Sequence, residues 1–142
     1  MANIVELREL SEEKLEQMLE DARTDLFNLR FRRASGQLDD YSRLKVARRA
    51  IAQLETVLHM RQLAIETAAK QPEIASVLQG QTWEAVANFD YEESAWLVEF
   101  ANEDGDDLAA ATVNLNRKRP RNKKEAARKS APQRVTSFEV TG

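Results

Sequence analysis

The chain has no cysteine, one histidine, three prolines and four glycines among its 142 residues. Without cysteine there is no disulfide framework and no cysteine-based zinc site, and a reducing cytoplasm is the natural setting. The glycines stand apart at positions 36, 80, 105 and 142, so no glycine-rich loop exists to cradle a phosphate. His59 has no acid or nucleophile at a spacing that would make it a catalytic base, and reads as an ordinary surface histidine. Aromatic residues are only 6% of the chain, which limits the size of any core. No apolar run approaches the roughly 20 residues that span a bilayer. The opening stretch MANIVELRELSEEK lacks the basic and apolar regions of a secretory signal. The acidic stretch NEDGDD lacks the ligand ladder and terminal glutamate of a calcium loop, and reads as an acidic turn. These absences leave no catalytic residue, no metal site, no cofactor and no small-molecule substrate to expect. An enzyme built on an acidic β-domain is correspondingly disfavoured.

What is present is charge, arranged in blocks. Residues 1–29 carry a net −5, residues 30–67 a net +4, residues 68–116 a net −9 and residues 117–142 a net +7, although the whole chain is only −3. Segregation on this scale suits a polyanion met by particular segments rather than by the whole surface.

The first 70 residues read as helix. Ser11 is a good N-cap, with Glu12 and Glu13 in the first turn at the positive end of the helix dipole. Leu10 and Leu15 are spaced as a hydrophobic staple. Leu15, Leu19, Ala22, Leu26 and Leu29 then recur in steps of four and three, a coiled-coil-like seam. Gly36 is the stop signal, preceded by Arg30, Arg32 and Arg33 where cations are favoured. A second helix starts with Asp40 or Ser42 as cap, follows the seam Leu44, Ala47, Ile51, Leu54, Leu58 and Ile65, and ends near Lys70 before Pro72. Two such seams joined by a short turn predict an antiparallel helical hairpin, each arm about 36 Å long. Its narrow apolar stripes make it marginal alone. At 100° per residue, Phe27 and Phe31 lie about 120° and 160° from the first seam. They are either covered by the C-terminal segment or form an outer patch that docks another macromolecule.

Beyond the hairpin the pattern changes. TWEAVANFDY alternates, SAWLVEF and LAAATVNL flank Asp104-Gly105, and together they suggest a small acidic β-hairpin or antiparallel sheet, with the alanine run open to a helical reading. Residues 117–134 have almost nothing to bury and read as a basic, disordered tail. The expected architecture is therefore mainly α: a hairpin over 1–70, an acidic module over 71–116 and a low-complexity basic tail over 117–142.

Seven Lys/Arg residues gather between Asn28 and Arg49, against two acids. Arg30, Arg32 and Arg33 end the first helix, and Lys45, Arg48 and Arg49 lie near the start of the second, so the turn brings both groups to one end. Arginine outnumbers lysine six to one in this stretch, which favours forked contacts with phosphate. Such contacts position a backbone rather than read its bases. No aromatic pair of the kind that reads RNA on a strand, and no recognition helix, is visible. The rival reading is a cytoplasmic coiled-coil adaptor that self-associates through its seams.

Leu7 to Leu58, LRELSEEKLEQMLEDARTDLFNLRFRRASGQLDDYSRLKVARRAIAQLETVL, resembles the bacterial twenty-ninth protein of the large ribosomal subunit. The most specific parts are LFNLRF, SGQL and SRLKVARRAIAQLETVL, in that order and without a gap in the last. The resemblance covers about the first 66 residues and implies a structural, non-enzymatic protein of the cytoplasmic ribosome. It further implies a helical hairpin on large-subunit ribosomal RNA beside the polypeptide exit tunnel. The twenty-third protein would be its neighbour, with trigger factor and the signal recognition particle docking nearby. Matching positions carry RNA contact onto Arg30, Arg43, Lys45, Arg48 and Arg49, and docking onto Phe27 and Phe31. Gln53 and Glu55 stand where the family commonly has basic residues, and Tyr41 where a proline often opens the second helix. Residues 68–142 lie outside the resemblance. Arg117, Lys118, Arg119 and Arg121 of the tail are added as RNA contacts on charge alone.

Overall fold

A computed structural model describes residues 3–116, 122–124 and 133–141. The chain divides into two compact units, Met1–His59 and Met60–Gly142. The first holds a short helix α1 (Ile4–Glu9), the long helix α2 (Glu12–Ala34) and most of α3, which runs from Ser42 to Ala69. The second holds the end of α3, a short helix α4 (Pro72–Leu78) and four strands, β1 (Trp83–Asp90), β2 (Ala95–Asn102), β3 (Asp107–Val113) and β4 (Val135–Val140).

In the first unit the expected seams face inward, buried at Leu15, Leu19, Leu26 and Leu54 and half-buried at Ala22, Leu29, Leu44, Ala47, Ile51 and Leu58. Leu15, Leu19 and Leu26 of α2 are buried, and Leu15 and Leu19 pack in one cluster with Leu54 and Val57 of α3. Ser11 caps α2 by accepting a hydrogen bond from the Lys14 N–H at 3.3 Å. Leu10 is half-buried against the cluster that contains Leu15, as a staple requires. Helix α1 has no long periodic run to announce it. It is held by an Asn3–Glu6 capping box and by Leu7, which is fully buried in the same cluster. On α3 the buried line departs from the expected seam after Leu54, passing through Val57 in the first unit.

The turn between α2 and α3 is a Schellman motif. The Gln37 N–H donates to the Arg32 carbonyl at 2.9 Å, and the Gly36 N–H donates to the Arg33 carbonyl at 3.2 Å. Gly36 sits at φ +74°, the left-handed region that a side chain disfavours. Leu38 is buried within this turn. Asp40 then starts α3: its Oδ1 accepts from the Ser42 N–H at 2.9 Å and from the Ser42 hydroxyl at 2.6 Å.

The second unit enlarges the expected acidic β-hairpin into a full sheet, while most of residues 117–134, expected to be disordered, lie outside the described residues. It is a four-stranded antiparallel sheet in the order β1-β2-β3-β4, and the alanine run is strand, not helix. Asp104-Gly105 does turn the chain between β2 and β3, with Gly105 at φ +86°. The fourth strand comes from within the segment assigned to the basic tail. VTSFEV has β-branched and aromatic residues enough to pair along β3, and Val135 is buried where it does so. Ala64 and Ala68 of α3, and Ile74 and Leu78 of α4, pack in one core with Ala87, Trp96, Val98, Phe100, Ala109, Ala111 and Val113 of the sheet. Edge-to-face aromatic pairs, Trp83–Phe100 at 5.4 Å and Phe89–Trp96 at 5.2 Å, tie β1 to β2. Pro72, expected as a terminator, also opens α4, because a helix's first turn has no use for the N–H that proline lacks.

Candidate nucleic-acid interface

The basic residues of the hairpin are exposed, but they do not form one patch. Seen along α2, Arg30 and Arg33 fall on one flank of the seam and Arg32 on the other. The structure keeps that division. One groove, of about 820 Å³, is lined by Arg30 and Arg33 of α2 and by Lys45, Arg48 and Arg49 of α3, over a floor of Leu26, Leu44 and Ala52, with Tyr41 at the turn. No acidic residue lines it among the described residues. A second groove, of about 590 Å³, is lined by Arg32 and Arg43 together with Asp25 and Asp40. Five of the seven cations expected at the turn thus converge on one groove, and two share the other with carboxylates.

That difference matters chemically. Five cationic side chains with no acid in the described lining form a positive channel, suited to the closely spaced phosphates of a nucleic acid backbone. Four of the five are arginines, whose planar forks can each engage a phosphate through two N–H groups. The apolar floor lies at the same end of the hairpin where Leu29, Leu44 and Ala47 are only half-buried. In the second groove, Asp40 is pinned by its hydrogen bonds from Ser42, which hold its carboxyl below the ordinary aspartate range, with the nearby Arg43 charge adding to the effect. It therefore stays an anion beside Arg43 and weakens the pull of that groove on phosphate.

Phe27 and Phe31 line neither groove. They are 67% and 66% exposed, so within the hairpin unit no segment covers them. Arg117, Lys118, Arg119 and Arg121 lie outside the described residues. His59 is exposed. Among the described residues no cluster of acidic or histidine side chains is arranged to hold a metal ion, and no helix is long and apolar enough to cross a membrane. Tyr41, noted in the sequence only as a departure from proline, lines the basic groove. Its position between Asp40 and Ser42, inside the capping turn that opens α3, was the available signal.

A profile of the Ribosomal L29 protein family matches residues 5–61. The large ribosomal subunit protein uL29 of Streptomyces avermitilis is 50% identical over 62 residues, covering 44% of this chain and 84% of the relative. The chain belongs to the ribosomal L29 family. The uL29 of Caldanaerobacter subterraneus subsp. tengcongensis is 48% identical over 61 residues, covering 43% of this chain and 92% of the relative. That of Salinispora tropica is 51% identical over 63 residues, covering 44% of this chain and 81% of the relative. The L29 match ends at residue 61, two residues beyond the end of the first compact unit at His59. The L29 part of the chain is therefore the helical hairpin with its two grooves, and the sheet unit is an addition to it.

Proposed function

We propose that this chain is a structural constituent of the large ribosomal subunit, bound through its hairpin to large-subunit ribosomal RNA and supporting translation. The observation that carries this reading is a coincidence of place. The L29 match covers the unit that holds the turn-end groove, and that groove gathers Arg30, Arg33, Lys45, Arg48 and Arg49 with no acid among its described lining. These five are the principal phosphate contacts. Arg32 and Arg43 are secondary contacts, tempered by Asp25 and Asp40.

The finer reading follows from the family resemblance. The hairpin lies beside the polypeptide exit tunnel of the cytoplasmic ribosome, next to the twenty-third protein and near the docking ground of trigger factor and the signal recognition particle. Phe27 and Phe31, exposed and four residues apart on α2, are the surface that docks a neighbouring macromolecule. Functionally the chain divides into an RNA-binding hairpin over residues 1–70, an acidic module over 71–116 and a basic segment over 117–142. Arg117, Lys118, Arg119 and Arg121 supply further phosphate contacts, while the acidic module, repelled by RNA, stays on the solvent side.

Binding of the full chain to large-subunit ribosomal RNA, titrated against salt, tests this. Steep salt dependence is expected, and the double variant Arg48→Glu/Arg49→Glu should bind far more weakly. Binding that ignores both salt and these substitutions would overturn it.

A further inference from the structure

Tyr41 is 61% exposed, in a chain where aromatic residues are scarce. It belongs to no apolar cluster, so the hairpin does not use it for packing. It lines the basic groove alongside Arg30, Lys45, Arg48 and Arg49, with the Arg33 guanidinium carbon 5.8 Å from its ring centroid. That distance is within the range of a cation–π contact. Its backbone is fixed as well, because the Tyr41 carbonyl accepts a hydrogen bond from the Leu44 N–H at 3.2 Å in the first turn of α3.

We infer that Tyr41 is a stacking platform for one unpaired base of the RNA, so that the groove takes a looped-out or bulged nucleotide rather than only the backbone of a duplex. This rests on the ribosomal RNA reading above and adds to it the form of nucleotide recognised. Phosphates alone call for cations, and a groove lined by cations serves them without an aromatic ring. An exposed ring set among those cations offers what a base needs, a flat π surface close to where its own phosphate is held. Arg33 backs the platform, since a guanidinium over one face of the ring orients it and leaves the other face for the base. Such stacking is indifferent to base identity, in keeping with the lack of any base-reading pattern in the sequence.

The test is affinity of the full chain for large-subunit ribosomal RNA, measured across a salt series for wild type, Tyr41→Ala, Tyr41→Phe and Arg49→Ala. Stacking predicts that Tyr41→Ala binds about 5- to 150-fold more weakly with an unchanged slope against log salt, because no phosphate contact is lost. Tyr41→Phe should bind like wild type, and Arg49→Ala should reduce the slope by about one. A Tyr41→Ala variant that binds like wild type while Arg49→Ala does not would overturn the stacking role and leave the RNA reading intact. Equal loss in Tyr41→Phe and Tyr41→Ala would also overturn it, since the hydroxyl and not the ring would then be the contact. Thermal melts check for a purely structural role: a Tyr41→Ala variant with a lowered Tm and unchanged affinity contradicts the inference. Failure of the wild-type chain to bind this RNA at all would remove both readings together.

Discussion

Arg23 on α2 reaches Glu55 on α3, Nη2 to Oε1 at 3.0 Å, while its other terminal nitrogen holds Glu20 at 3.1 Å. Its hydrogen bonds to Glu55 and then Glu20 raise the affinity of the guanidinium for its proton. Glu55 thus forms a clasp between the two helices through Arg23. All three side chains are half-exposed or more, so this contact sets pairing and register rather than supplying bulk stability. It also removes positive charge from the middle of the hairpin and leaves the turn end as its basic pole.

Glu55→Gln should therefore weaken the hairpin slightly at low salt, with the difference from wild type closing at about 1 M salt, where exposed charges are screened. Parallel urea unfolding curves at the two salt concentrations would show it. A deficit that persists in high salt would mean that Glu55 acts through packing.

Gly36 is the residue on which the turn depends. A Cβ there would meet nothing within 4 Å, so space is not the issue, but its φ of +74° is costly for any L side chain. Gly36→Ala should lower stability by about 1–2 kcal/mol, read from the shift in the urea midpoint. An unchanged midpoint would show that the Schellman geometry is dispensable.

Asp40 gives the turn an acid limit. Its carboxyl is held below its ordinary range by the hydrogen bonds from Ser42. The stabilisation is therefore fully present above the unfolded value, near pH 4, and is lost as pH falls through the lower folded value. Asp40→Asn should flatten the acid limb of Tm against pH below about pH 4, leaving the rest of the profile parallel to wild type. An identical acid limb in the variant would remove this assignment.

The two grooves should respond differently to charge reversal. Arg48→Glu/Arg49→Glu strikes the groove without acids and should depress RNA binding more than Arg32→Glu/Arg43→Glu, which strikes the one containing Asp25 and Asp40. Filter binding at a single moderate salt concentration separates them. Equal losses would mean that the RNA spans both flanks evenly.

In the second unit Phe100 is fully buried at the centre of the sheet core and edge-on to Trp83. Phe100→Ala should cost about 3–5 kcal/mol, enough to be seen as lost near-ultraviolet dichroism from the tryptophans at moderate urea. Retention of that signal would mean that the sheet is held mainly by its other contacts.

The hairpin was legible because its signals are local and repeated: Leu15 to Leu29 at steps of four and three, Ser11 as a cap, Gly36 as a stop. Helix α1 was missed because it is too short to show a period, and its evidence is a capping box that becomes distinctive only once Leu7 is seen to be buried. The fourth strand was missed for the opposite reason. Val135–Val140 follows a long basic stretch, and its pairing with β3 is a contact distant in sequence that no local pattern declares. The clustering of cations near the turn is plain in the sequence, whereas the division between Arg30 and Arg32 depends on their positions around the helix. Tyr41 was visible only as an oddity until the groove gave it neighbours.

Sedimentation of a cell lysate through sucrose, first in low and then in high salt, with the chain followed by antibody, addresses membership of the large subunit most directly. Co-migration with the large subunit that survives high salt is the predicted result. A chain that stays at the top of the gradient in low salt would contradict it and favour a self-associating coiled-coil adaptor.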